Sequence, residues 1–200
     1  MTVPFDYPSA PHVRRHGPRG YAGYESYRPW LRDEFAFRCV YCLTREVWTR
    51  FTGAYAIDHF LPVVTNPDLE TDYGNLLYAC IPCNLAKGSS VTPDPLSVLI
   101  ASGVSVSEDG VIRGTSPETS RLIELIGLDR DRAAEFRELW IGIVRLAAKF
   151  DPALHRRLMG YPTDLPDLST LEPPDGNTRP DGVKTSHFAQ QKAGTLPESY

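Results

Sequence analysis

The stretch CIPCNLAKG, residues 80–88, sets two cysteines two residues apart, an asparagine directly behind them and a lysine three positions further on. Its spacing predicts a helix that starts at the cysteines and stops at Gly88, a residue suited to a helix terminus. A second pair, CVYC at 39–42, lies upstream, and these four are the only cysteines in the sequence. Each two-residue gap turns two thiolates toward one point, and two such pairs suit tetrahedral zinc at about 2.3 Å from each sulfur. A disulfide frame belongs to short secreted chains. Here the chain has 200 residues, and its opening MTVPFDYPSAPHVRRHGPRG lacks the apolar centre of a secretory signal. A redox pair is the other alternative, and two pairs without thioredoxin-like surroundings argue against it. The expectation is structural Zn2+ on Cys39, Cys42, Cys80 and Cys83.

Around the cysteines, NLLYAC (75–80) reads as a short strand, and AYAIDHFLPVV (54–64) is β-prone with Pro62 at a strand end. Between them TNPDLETDYG is a loop of turn formers. The predicted order is strand, loop, strand, helix. Upstream, YRPWLRDEFAF supplies apolar anchors for a short helix with Pro29 in its first turn.

A hydrophobic share of 42% and a charged share of 23% are ordinary globular values, and no apolar run is long enough for a membrane span. A cytoplasmic location is the default expectation. The net charge of −4 speaks against a polyanion partner, but residues 11–50 carry eight arginines against four acids. Arg14, Arg15 and Arg19, with Tyr21, can follow a nucleic-acid backbone by charge and stacking. A solubilising arm explains them equally well.

Asp58, His59 and Asn84 are the residues that suggest chemistry. Hydrolysis of a phosphodiester needs a base to take a proton from water and positive charge to neutralise the phosphoryl oxygens. Histidine suits the first task. A hard divalent cation, held by carboxylate and amide oxygens, suits the second. Adjacent strand residues point to opposite faces, so Asp58 and His59 can serve one site only from a bend or a strand end. Lys87, one helical step from Asn84, can meet a phosphate or lie in solvent.

Taken in order, FRCVYC, AIDHFLP and NLLYACIPCNLAKGS resemble the HNH endonucleases, the ββα-metal or His-Me finger family. The resemblance covers residues 37 to about 90 and follows the HNN variant with a four-cysteine zinc site, since Asn84 stands where the family often has its last histidine. It implies His59 as general base, Asp58 and Asn84 as ligands of a catalytic Mg2+ or Mn2+, and Asn75 as the residue that braces the loop between the strands. It also implies DNA in preference to RNA, 5′-phosphate products, and a protein partner such as an ATPase or sensor of a bacterial defence or mobile-element system. A homodimer is a further expectation, and a membrane partner is not expected. A zinc-stabilised nucleic-acid-binding module without cleavage is the rival reading.

The expected fold is α+β: a basic, tyrosine-rich arm (1–30), a small ββα-metal core (31–92), a hairpin with a mostly helical extension (93–170), and a disordered tail (171–200). In the extension, DPLSVLIASG suggests a short helix and VSVSEDGVIRG a hairpin turning at Asp109-Gly110. Ser116 and Gly127 mark the ends of another helix. DRDRAAEFRELWIGIVRLAAKF (129–150) shows a helical period whose apolar stripe, including Phe136, Leu139, Trp140, Ile143, Val144, Ala147 and Phe150, could bind a partner helix but is expected to pack on that preceding helix.

Overall fold

A computed structural model describes residues 4–49 and 55–200; Ala54, expected at the start of the first strand, lies outside them. In chain order the elements are α1 (Arg28–Glu34), β1 (Tyr55–His59), β2 (Leu76–Cys80), α2 (Ile81–Lys87), α3 (Pro95–Val98), β3 (Val104–Val106), β4 (Ile112–Gly114), α4 (Pro117–Ile126), α5 (Asp131–Phe150), α6 (Pro152–Met159), α7 (Asp181–Lys184) and α8 (His187–Ala193). The architecture is α+β, with two antiparallel two-stranded sheets and eight helices among the described residues. No helix among these residues is long and apolar enough to cross a membrane.

Local chemistry sets most boundaries. Proline lies in the first turn of α1, α2, α3, α4 and α6, where its missing N–H is no loss. The side chains of Asp94, Ser116, Asp151 and Ser186 accept backbone N–H bonds at the starts of α3, α4, α6 and α8. Gly127 closes α4 at φ +71°.

β1 and β2 pair with Asp58 opposite Leu77 and His59 opposite Leu76. All five β2 residues are buried, which accounts for their unbroken apolar run. Trp30 and Leu31 of α1 and Leu122 of α4 belong to the same core.

The 131–150 stripe behaves differently from expectation. Its buried positions are Arg137, Ile141, Val144 and Ala147, while Phe136, Leu139, Leu146 and Phe150 are exposed. The chief neighbour of α5 is the following helix, α6, because the turn at Asp151-Pro152 folds the chain straight back. Trp48 ties the pair together, stacking on Trp140 at 4.4 Å between centroids and donating its indole N–H to the Leu158 carbonyl at 2.7 Å. Arg137 joins α5 to the hairpin and to the end of α4 through the Gly110 and Leu128 carbonyls.

Both ends of the chain also depart from expectation. The arm expected over residues 1–30 is, from residue 4 on, tied to the core, with Phe5, Tyr7 and His16 buried. Residues 171–200 are not a disordered tail: they form α7 and α8, and His187 donates its backbone N–H and its Nδ1–H to one Asp33 carboxylate oxygen, each at 2.8 Å. The other oxygen accepts from His16 Nε2 at 2.7 Å and Arg15 at 3.0 Å. Beside it, Glu34 accepts from the His12 ring, the backbone N–H groups of Arg15 and His16, and the Tyr73 hydroxyl. Besides apolar contacts such as those of Phe5 and Tyr7, polar bonds hold both ends: Glu34 holds residues 12–16, and Asp33 holds both these and His187. A β-carbon on Gly182 would lie 2.0 Å from the Arg15 carbonyl, so only glycine lets α7 approach this closely.

This clamp should fail in acid. Burial works to raise the Glu34 carboxyl, but the bonds from His12 and Arg15 and the charge of Arg14 outweigh it and hold the pKa at about 2, below the ordinary 4.5. Asp33 is also held low, against burial, by His16 and His187. Depressed carboxylates stabilise the fold above their ordinary range, and for Glu34 that contribution is lost as pH falls from 4.5 through about 2. Limited proteolysis across this window should show the arm around residues 12–16, which Glu34 holds, becoming cleavable before the centre of the molecule; simultaneous cleavage of both would refute the clamp.

Candidate functional site

The four cysteine sulfurs lie within 4.8 Å of one another, although the two pairs come from separate parts of the chain. Cys39 and Cys42 sit on a tight knuckle closed by the Cys39 N–H to the Thr44 carbonyl and by the Leu43 N–H to the Cys39 carbonyl, with Leu43 at φ +57°. Cys80 ends β2 and precedes α2, and Cys83 lies in the first turn of that helix. The Cys42 and Cys80 sulfurs are 3.6 Å apart, too far for a disulfide and close to the edge of about 3.8 Å that a tetrahedron of 2.3 Å arms requires. Hydrogen bonds from Cys39 and the other thiols hold Cys42 well below the ordinary thiol range, while burial pushes Cys39 up. A divalent cation would remove that imbalance by deprotonating all four. The cluster therefore fits a structural zinc ion.

Asp58 and His59 are the last two residues of β1, and their side chains take different partners on either side of the strand. The Asp58 carboxylate is buried against α2. One oxygen accepts from the Tyr41 hydroxyl at 2.6 Å and the other from the Lys87 ammonium at 3.0 Å. Lys87 also donates to the His59 carbonyl at 2.6 Å and is only 2% exposed. This corrects the expectation of a phosphate-binding or solvated lysine. Lys87 lies one turn after Cys83, so the face that meets the cysteine cluster carries the ammonium inward as well. Burial raises the Asp58 carboxyl above its ordinary value, with Lys87 and Tyr41 pulling the other way. Burial and the Asp58 charge push the Tyr41 hydroxyl upward.

His59 is half-buried. Its Nε2 lies 2.9 Å from the Glu70 carbonyl oxygen, and the Tyr24 ring stands edge-on at 4.9 Å between centroids. A carbonyl only accepts, so Nε2 carries the hydrogen, and in the neutral ring Nδ1 keeps its lone pair. Asn75 holds the loop that presents Glu70. Its side-chain oxygen accepts from the Leu61 N–H at 2.8 Å, and its amide donates to the carbonyls of Leu61 at 3.1 Å and Leu69 at 3.2 Å. Tyr24, Tyr41 and Glu70 were not singled out from the sequence. A backbone carbonyl leaves no sequence signal, and nothing in CVYC connects its tyrosine with an aspartate 17 residues on.

Asn84 is half-buried in the second turn of α2, and its side-chain amide bonds to no described residue. Its oxygen and the Asp58 carboxylate are hard donors, but both Asp58 oxygens are already bonded, to Tyr41 and to the Lys87 ammonium, so a divalent cation would have to take the place of that ammonium. Direct hydrogen bonds do not join the side chains of Asp58, His59 and Asn84.

The arginines of the arm divide. Arg14 bonds the Leu76 carbonyl at 2.6 Å and lies over the Phe35 and Tyr73 rings, and Arg15 is taken up by Asp33, so both are tied into the fold. Arg19 is exposed. Arg14 and Arg19 line a cleft of about 410 Å³ that also contains Arg179, Asp68 and Asp72, which makes its charge mixed. Compared with known proteins, the chain matches no family model and no curated protein.

Proposed function

We propose that this chain is a metal-dependent nuclease of the HNH type that hydrolyses phosphodiester bonds, with DNA as the favoured substrate. The observation that carries this reading is the fixed imidazole of His59. Glu70 holds Nε2–H through its carbonyl, and Asn75 holds the loop, so in the neutral ring Nδ1 is left as an oriented base. Such a base need not touch the metal ligands, because the attacking water and the phosphate lie between them. In this reading Asp58 and Asn84 would hold Mg2+ or Mn2+ in place of the Lys87 ammonium, and the ion would supply neutralisation of charge on the phosphoryl and leaving oxygens. His59 takes the proton from water, and Tyr24 and Glu70 keep its ring from turning.

The test compares parent and His59→Ala proteins on plasmid, single-stranded DNA and RNA, with magnesium, manganese or chelator. His59→Ala should cleave about 10²- to 10⁴-fold more slowly with its zinc content unchanged. Equal rates for the two proteins under every condition would end the proposal.

The pairing of Asp58 with Lys87 favours one second reading, a zinc-stabilised nucleic-acid-binding module in which the pair is only structural. Nucleic-acid binding that survives Asp58→Ala and His59→Ala, with no cleavage by the parent, would select it.

A further inference from the structure

Phe136, Leu139, Ile143, Leu146 and Phe150 recur along α5 at alternating gaps of three and four residues, so they share one face of the helix. Leu139, Leu146 and Phe150 are 60% exposed or more, and Phe136 is 38% exposed. Scattered exposed leucines need no explanation, but four large apolar side chains in one seam do. The opposite face of α5 is the one turned to the core.

We propose that this seam is a self-association surface, on which α5 of a second copy of the chain lies antiparallel. A seam with heptad spacing is complementary to itself under a two-fold axis. The charges favour the antiparallel arrangement. The first half of α5 exposes Asp131, Glu135 and Glu138 against Arg132, while residues 141–150 carry Arg145 and Lys149 and no acid. Arg145 pairs with Glu108 within the chain, and both remain largely exposed. Antiparallel packing sets each acidic half beside a basic half and opposes the helix dipoles; parallel packing does neither.

Gly142, in the middle of the helix, gives independent support. A β-carbon there would have no atom within 4 Å, so nothing in the fold requires glycine. Glycine is disfavoured against alanine in a helix interior. A second backbone crossing beside Ile143 supplies the missing reason. One helix pair makes a small interface, so the dimer should be reversible.

Sedimentation velocity on the full chain over a concentration series is the test. The parent should shift from monomer to dimer as concentration rises. Leu139→Glu/Leu146→Glu should remain monomeric with unchanged circular dichroism and zinc content, and Leu139→Gln/Leu146→Gln serves if the glutamates disturb the helix. Lys149→Glu should weaken the dimer about 5-fold at low salt by reversing two exposed ion pairs, and adding Glu135→Lys should restore it. A parent that stays monomeric up to its solubility limit overturns the proposal, as does a dimer that persists in the seam variants. Failure of the charge exchange to restore association overturns the antiparallel arrangement. None of these readouts depends on nuclease activity.

Discussion

Removing zinc, by chelator or by Cys83→Ser, should unfold the unit formed by β1, β2 and α2. Apart from this cluster, α2 is held chiefly by Lys87: it is seven residues long, with only Cys83 and Lys87 buried. Helices that short do not persist alone in water. Structural zinc sites contribute on the order of 10 kcal/mol of apparent binding free energy, comparable with the whole stability of an ordinary domain. Metal analysis should give one zinc per chain, and chelation should lower the melting temperature sharply with loss of strand and helix dichroism. A chelated protein with the same melting curve as the parent, or a preparation without zinc that folds normally, would exclude this role.

The second large effect concerns Asp58 and Lys87. Both are buried, and the pair lies 3.0 Å apart. Lys87→Ala leaves a carboxylate inside the protein with the Tyr41 hydroxyl as its remaining side-chain donor, and should cost about 3–5 kcal/mol; Asp58→Ala, which strands the ammonium, should cost a similar amount. Replacing both by neutral groups of similar shape, Asp58→Asn with Lys87→Met, should lose far less than the sum. Denaturant melts of the four proteins form the cycle, and additive losses would show that the contact is not an energetic pair. Manganese adds a further readout. If Asp58 is a metal ligand, Mn2+ should restore stability to Lys87→Ala by occupying the position of the missing ammonium, and should not restore Asp58→Ala.

The parts of this fold that could be read from the sequence were those set by neighbouring residues. The cysteine pairs, Pro29, Ser116 with Gly127, and Asp109-Gly110 each act over a few positions, and each appears where its chemistry required. The expectation of a phosphate-binding or solvated Lys87 was mistaken, although its place four positions after the inward-facing Cys83 put it on the interior face. The α5 stripe was ambiguous because two apolar faces overlap there, and only tertiary packing chose the one with Ile141, Val144 and Ala147 as the interior. The docking of residues 171–200 was not legible. It depends on polar bonds such as those of His187 to Asp33 and of Arg45 to the Tyr200 carbonyl, and neither polar composition nor the absence of a period reports partners waiting far upstream.

That distance has a consequence for how the molecule comes into being. His187 closes on Asp33 across 154 positions, and Arg45 reaches the Tyr200 carbonyl across 155. Synthesis delivers these partners far apart in time, so the Asp33 oxygen that accepts from His187 has only water until 154 further residues have been made, while Arg15 and His16 already hold the other. The cysteine-bound unit can assemble before residues 171–200 exist, and the contacts those residues make with Asp33 and Arg45 are added afterwards.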